Sequence, residues 1–205
     1  MLQNFDKLPQ IFSQINSLRD GTYVEGILPI EDSDNNTLFE YKISIDFRIL
    51  PPTVKELEGL IPHHIDRHVF PKQDWSLCLG YPIMLLSFWV NSKFDCLSYV
   101  KNMVLPYLAN QHYYDRNGEW LVKGLDHDIN GAIQFYSAIF GTNDVKIISY
   151  RLINILKNRK YRLNDLCFCG SNLKYKNCHR KKQLLPIERK LLEWDYSRFR
   201  KHLTG

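Results

Sequence analysis

The hydrophobic pattern along this chain changes period several times. Over residues 39–49, Phe39, Tyr41, Ile43, Ile45, Phe47 and Ile49 alternate with Glu40, Lys42, Ser44, Asp46 and Arg48. That period of two buries one face of a β-strand and wets the other. Residues 23–30 are apolar and partly β-branched, and the EDSDNN stretch after them reads as a turn. The two segments predict an antiparallel meander, which Pro51 and Pro52 end. Residues 2–18 place Leu2, Phe5, Leu8, Ile11, Phe12 and Ile15 at spacings of three and four, predicting a short amphipathic helix limited by Pro9.

Helical spacing returns beyond residue 92. Ser92, three residues ahead of Asp95, reads as a capping pair, and Phe94, Leu97, Val100, Met103, Val104, Tyr107 and Leu108 form one stripe, with Pro106 as a kink or stop. Residues 115–118 read as a turn, 131–140 and 145–156 as helices, and 187–203 as a strongly basic helix carrying Trp194, Tyr196 and Phe199. The longest apolar run, 81–90, is interrupted by Pro82 and Ser87 and falls far short of the roughly 20 residues of a membrane span. The first residues lack a basic start, an apolar core and a cleavage site, so a cytoplasmic protein without membrane association is expected.

Charge divides the chain. The overall +5 combines residues 1–150, with 12 Lys+Arg against 18 Asp+Glu, and residues 151–205, with 15 against 4. The basic part is expected to be a separate object facing an acidic partner, nucleic acid or the acidic part of the same chain. Trp194, Tyr196 and Phe199 interleave with Arg198, Arg200 and Lys201 as in a single-strand-binding surface, but aromatics at helical spacing more often form a packing stripe. Nucleic acid is not the expected partner.

Cys78, Cys96, Cys167, Cys169 and Cys178 are odd in number and unevenly spaced, which favours free thiols or metal ligands over disulfides. Cys167, Cys169, Cys178 and His179 fall within thirteen residues, CFCGSNLKYKNCH. Four such ligands suit one tetrahedral, closed and therefore structural Zn2+ per chain. Gly170 and Ser171 allow a tight turn, and Lys174 and Lys176 offset the thiolate charge. The alternative is a basic loop with incidental cysteines. The segment resembles the SEC-C motif, Cys-x-Cys-Gly-Ser-x-x-Lys-Tyr-Lys-x-Cys-His, with Asn172 where glycine is common, a position asparagine can fill because it tolerates positive φ. That resemblance implies a stapled docking module, with residues 1–158 forming the main domain and 159–205 the zinc module and basic helix.

Cys78 sits in a Leu-Cys-Leu run, which is most often core. Its surroundings argue otherwise: a polar turn with Lys72, Gln73 and Asp74 precedes it, Gly80 and Pro82 follow it, and His63, His64 and His68 lie upstream. Residues 21–113 resemble a divergent bacterial ubiquitin-conjugating domain. The resemblance rests on the order of the N-terminal helix, the meander, the Pro51-Pro52-Thr53-Val54 element, an irregular stretch, His68 ten positions before Cys78, and the helices behind. It implies an α+β ubiquitin-conjugating-like fold and an enzyme that carries a protein C-terminus as a thioester on Cys78 before passing it to an amine. The family reading makes His68 an organiser of the loop and leaves Asp74, His63, His64 and the Asp126–His127 pair as candidates for deprotonating the amine. Cys96 is expected in the core.

Three departures stand out: Val69 and Phe70 replace the family's Pro-Asn, whose asparagine steadies the oxyanion; Trp75 replaces a common glycine; and the loop before His68 is long. The bacterial relatives implied by the resemblance serve anti-phage (CBASS) operons, with a ubiquitin-like protein or the tail of a cGAS-like nucleotidyltransferase as donor and a protein as acceptor. No nucleotide-binding glycine loop is present, so activation falls to another chain or is bypassed. The other reading is a catalytically inactive adaptor that binds a protein through its zinc module.

Overall fold

The computed structural model describes residues 2–70, 75–157, 162–179 and 184–205. Contacts separate it into two compact units, Met1–Gly80 with Phe88–Lys123, and Tyr81–Ser87 with Gly124–Gly205. The boundary expected after residue 158 is not where the contacts divide: the helices between 124 and 157 belong with the metal-ligand segment.

The first unit is an antiparallel sheet with helices, a mixed α+β arrangement. Its strands are β1 (Gln14–Arg19), β2 (Tyr23–Glu31), β3 (Thr37–Asp46), β4 (Thr53–Glu56), β5 (Val69–Phe70) and β6 (Ser76–Leu77), in the order β1-β2-β3-β4-β6-β5. The alternation in β3 buries Tyr41, Ile43, Ile45 and, just past the strand, Phe47, while Phe39 and Ile49 at either end stay exposed. Each fully buried side chain of this kind contributes about 1.5–3 kcal/mol.

The N-terminal helix expected over residues 2–18 does not form. A 3-10 turn occupies Phe5–Gln10, and the chain then becomes β1, paired with β2. Pro9 lacks the N–H that a longer helix requires, and the sheet edge offers Ile15 and Leu18 a ladder of backbone partners. Leu8 and Phe12 still reach the core.

Helix α1 (Pro82–Asn91) starts at the proline that the hydrophobic pattern marks as a break, a favoured first position because its missing N–H would be unpaired there anyway. Asp95 is itself the cap of α2 (Cys96–Tyr99), accepting the Ser98 N–H at 2.9 Å, whereas Ser92 donates to the Trp89 carbonyl. A π-helical turn, Val100–Val104, joins α2 to α3 (Leu105–Asn117), which ends at Gly118 with φ 73°. Trp89 is fully buried between Phe47, 5.5 Å away, and Tyr99, 5.4 Å away. Cys96 is fully buried in the same core.

The second unit packs α4 (Asp128–Phe140), α5 (Val145–Leu156) and α6 (Pro186–Thr204) around Tyr81, Ile83, Tyr136, Leu152, Leu192 and Phe199. Phe199 is fully buried and Tyr196 packs beside it, so of the three aromatics in the basic helix only Trp194 is exposed, with Arg198 over its ring at 4.3 Å. No helix among the described residues is long and apolar enough to cross a membrane.

At Gly26 the β1 backbone leaves no room for a side chain: a Cβ there would lie 2.3 Å from the Gln14 carbonyl oxygen and 2.9 Å from the Phe12 ring. Backbone cannot yield as a flexible side chain can. Gly26→Ala is expected to destabilise the first unit by about 1–3 kcal/mol, read as a lower urea midpoint with an unchanged slope; an unaltered midpoint would contradict the pairing described.

Candidate functional site

Cys167, Cys169, Cys178 and His179 are buried together, their ligand atoms all within 4.8 Å of one another. The local fold explains the convergence. Leu166 and Lys174 bridge two short antiparallel segments, with Cys167 N–H donating to the Leu173 carbonyl at 2.8 Å and Tyr175 N–H to the Asp165 carbonyl at 2.9 Å. Gly170 turns the first pair at φ 76°, and its missing Cβ leaves room for Phe135, whose ring would stand 2.9 Å from one. Asn172 adopts φ 57°, the left-handed conformation expected of it. A 3-10 turn, Tyr175–Asn177, then delivers Cys178 and His179.

The distances suit a small tetrahedral cation. Cys169 and Cys178 sulfurs are 3.7 Å apart, and His179 Nδ1 is 3.1 Å from Cys167 Sγ and 3.2 Å from Cys178 Sγ. Ligand bonds of about 2.0–2.3 Å around zinc give edges of roughly that size. Hydrogen bonding from Cys167 draws the Cys169 thiol down to about 3 against the effect of burial, and Cys167, the partner in that bond, is pushed far above the ordinary thiol range. Burial lowers the His179 pKa, but hydrogen bonds to Cys169 and Glu188 outweigh it and lift the group to about 10. The four groups thus compete for protons in one buried space. A divalent cation can take the place of those protons, with three thiolates and a neutral imidazole as its ligands.

Two residues around the ligands were not legible in the motif. Glu188, 3% exposed, holds His179 Nε2 at 2.9 Å through Oε1, and its Oε2 accepts the Leu185 N–H at 2.8 Å at the start of α6. Such a carboxylate fixes the tautomer that leaves Nδ1 free to ligate. Ser87 of α1 donates to Cys169 Sγ at 3.1 Å across 82 residues of sequence. Glu188 had a faint signal, as an acidic residue in the first turn of a helix; Ser87 had none.

The Cys78 site lies in the first unit. Cys78 is partly accessible and follows β6, and its N–H donates to the His68 carbonyl at 2.7 Å. His68 adopts φ 52° at the end of a 3-10 turn, Ile65–Arg67, and its ring meets Trp120 edge-on at 5.6 Å. Tyr107 Oη donates toward the Arg67 and His68 carbonyls at 3.0 and 3.1 Å. Burial pushes the Cys78 thiol up to about 11, and the Gly80 backbone partly offsets this by hydrogen bonding to it. Three residues further along the chain, in the second unit, Tyr81 donates to the buried Asp195 carboxylate at 2.6 Å, and Tyr136 donates to the same group at 2.7 Å.

The other candidates are dispersed. His63 stacks face to face on Trp75, centroids 4.5 Å apart, and His64 is an exposed partner of Asp66 at 3.2 Å. Asp126 is held by Gln134 in the second unit, where His127 caps α4. Asp74 lies outside the described residues. Phe70 sits in β5 opposite Ser76, so no amide side chain stands at that position.

A family model for the SEC-C motif matches residues 164–181, which span all four ligands. The SEC-C motif is a zinc-binding one, and the ligand geometry agrees with it. Comparison with curated proteins and with solved structures finds no significant match.

The purified chain is expected to carry one zinc, and Cys167→Ala to lose it, as read by elemental analysis. Glu188→Gln is expected to weaken zinc about tenfold to a hundredfold in chelator competition. An affinity equal to wild type would show that the Glu188 contact is incidental.

Proposed function

We propose that the chain is a cysteine-dependent acyl carrier of the ubiquitin-conjugating kind, working in the bacterial cytoplasm. The observation that carries this reading is the hydrogen bond between Cys78 N–H and the His68 carbonyl. It joins the two residues whose ten-position spacing underlies the family resemblance. Three further features support it. The meander β1–β4 precedes the Cys78 loop and helices follow. Trp75, at the family's glycine position, has φ 59°, a conformation that glycine adopts without strain. Cys78 is also more accessible than the four fully or nearly buried cysteines.

The chemistry is two acyl transfers. Cys78 sulfur attacks the terminal carbonyl of a donor protein activated on another chain as a thioester or acyl-adenylate; an S–C bond forms, the activating chain's thiolate or AMP leaves, and the Cys78 proton passes to that thiolate or, with AMP, to solvent. An amine of the acceptor then attacks the same carbon. The N–C bond forms, the Cys78 thiol departs, and the proton lost by the amine is regained by sulfur. A ubiquitin-like protein or the tail of a cGAS-like nucleotidyltransferase fits as donor, in an anti-phage operon. The zinc module and basic α6 would dock a protein partner.

The adaptor reading has one observation in its favour. A thiol pushed up to about 11 leaves on the order of one thiolate in ten thousand at neutral pH. With Phe70 in place of the amide, little is left to steady an oxyanion. Non-reducing gels with each co-encoded candidate donor and its activating protein separate the two. Wild type is expected to give a thiol-sensitive adduct and Cys78→Ser a thiol-stable oxyester; absence of any adduct with every donor favours the adaptor.

A further inference from the structure

The residues that set the Cys78 loop lie on one face of α3. Tyr107, Gln111 and Asp115 are spaced by four, and each grips Arg67 or His68. Gln111 Nε2 donates to the Arg67 carbonyl at 2.7 Å, and the Arg67 Nε–H donates back to Gln111 Oε1 at 2.9 Å. The Arg67 guanidinium stands 2.7 Å from Asp115 and lies over the Tyr114 ring at 4.9 Å. Trp120 stacks on Tyr114 at 4.3 Å and meets the His68 ring. The Tyr107 hydroxyl reaches both consecutive carbonyls, Arg67 and His68. The second of these carbonyls is the one that receives the Cys78 N–H.

We propose that Tyr107 is a positioning residue for Cys78, acting through the His68 main-chain carbonyl, with Arg67, Gln111 and Asp115 as its clamp. The proposal rests on the acyl-transfer reading for its purpose but not for its geometry. His68 φ lies in the left-handed region, so the orientation of its carbonyl depends on outside partners. A single phenolic hydroxyl shared between two carbonyls supplies one, and the Cys78 N–H supplies the other. The Cys78 amide is thereby consumed and cannot itself donate to an oxyanion, which leaves the placement of the sulfur as the contribution of this loop. Burial pushes the Tyr107 hydroxyl pKa up, and the nearby Cys78 thiol adds to that rise.

The test uses the full zinc-loaded chain and iodoacetamide, with alkylation of Cys78 followed by peptide mass spectrometry from pH 7 to 10.5. Tyr107→Phe keeps the ring and removes the hydroxyl. Tyr99→Phe is the control, because Tyr99 is fully buried in the same unit and its hydroxyl donates to the Pro52 carbonyl at 3.1 Å, away from the loop. Loss of the clamp admits water to the sulfur. Tyr107→Phe is therefore expected to alkylate about tenfold faster at pH 8, equivalent to one unit in the pH profile, while Tyr99→Phe tracks wild type. Conjugation by Tyr107→Phe is expected to fall about tenfold in the same preparation. A Tyr107→Phe profile matching wild type, or a shift shared equally by Tyr99→Phe, overturns the clamp. A shifted profile supports it even where no donor forms an adduct, so failure of the acyl-transfer reading is seen separately on the gel.

Discussion

Helix α1 has no charged side chain to offer water. Its ten residues, PIMLLSFWVN, contain no charge, and a helix this apolar is stable only when most of its surface is buried. The turn that includes Ile83 lies in the core of the unit with the ligand cluster, and the part that includes Trp89 lies in the core of the sheet unit. Neither core is complete without its share. Ser87, at the last position on the metal-bearing side, sends its hydroxyl to a ligand sulfur, so the helix also contributes to the metal centre.

The metal centre in turn shows why a four-residue ligand set is an incomplete description. Three sulfurs within a buried space repel one another when ionised, and shared protons or a cation relieve that repulsion. Glu188 makes the imidazole a better ligand and at the same time caps the first turn of α6, so one carboxylate serves both the ligand cluster and the helix. The buried Asp195, held by two tyrosine hydroxyls, fixes the same helix two turns further on to the start of α1. Burial raises the Asp195 carboxyl pKa, and the two hydroxyls work against that rise.

Much of this was legible in the sequence where a local rule operates without competition. Helix α5 follows its periodicity from Val145 to Leu156, β3 follows its alternation, and the four metal ligands announce themselves by spacing. The failures have physical causes. Residues 2–18 carry a helical stripe, but Pro9 and the open edge of β2 outcompete it, and β1 forms instead. Pro82 reads as a break because proline disrupts a helix interior, yet at the first position it starts α1. β5 and β6, two residues each, are too short for any period to show. Ser87 and the α3 face that grips Arg67 depend on approaches between segments far apart in the chain, which no spacing rule reports. The position of His68 was readable; that its main-chain carbonyl accepts the Cys78 N–H was not.

The division of α1 bears on how such a protein can be assembled from parts. A thirteen-residue ligand motif looks portable, the kind of segment that recombination could append to any chain. Here the unit that contains it also draws on Tyr81–Ser87, which lies far upstream and inside the sequence of its neighbour. A graft of the C-terminal segment alone would arrive without Ile83 and Ser87, and a chain cut after Lys123 would turn Tyr81 and Ile83 toward water. The two units can therefore be exchanged between proteins only if two separate stretches of sequence move together, which ties their evolutionary histories to one helix.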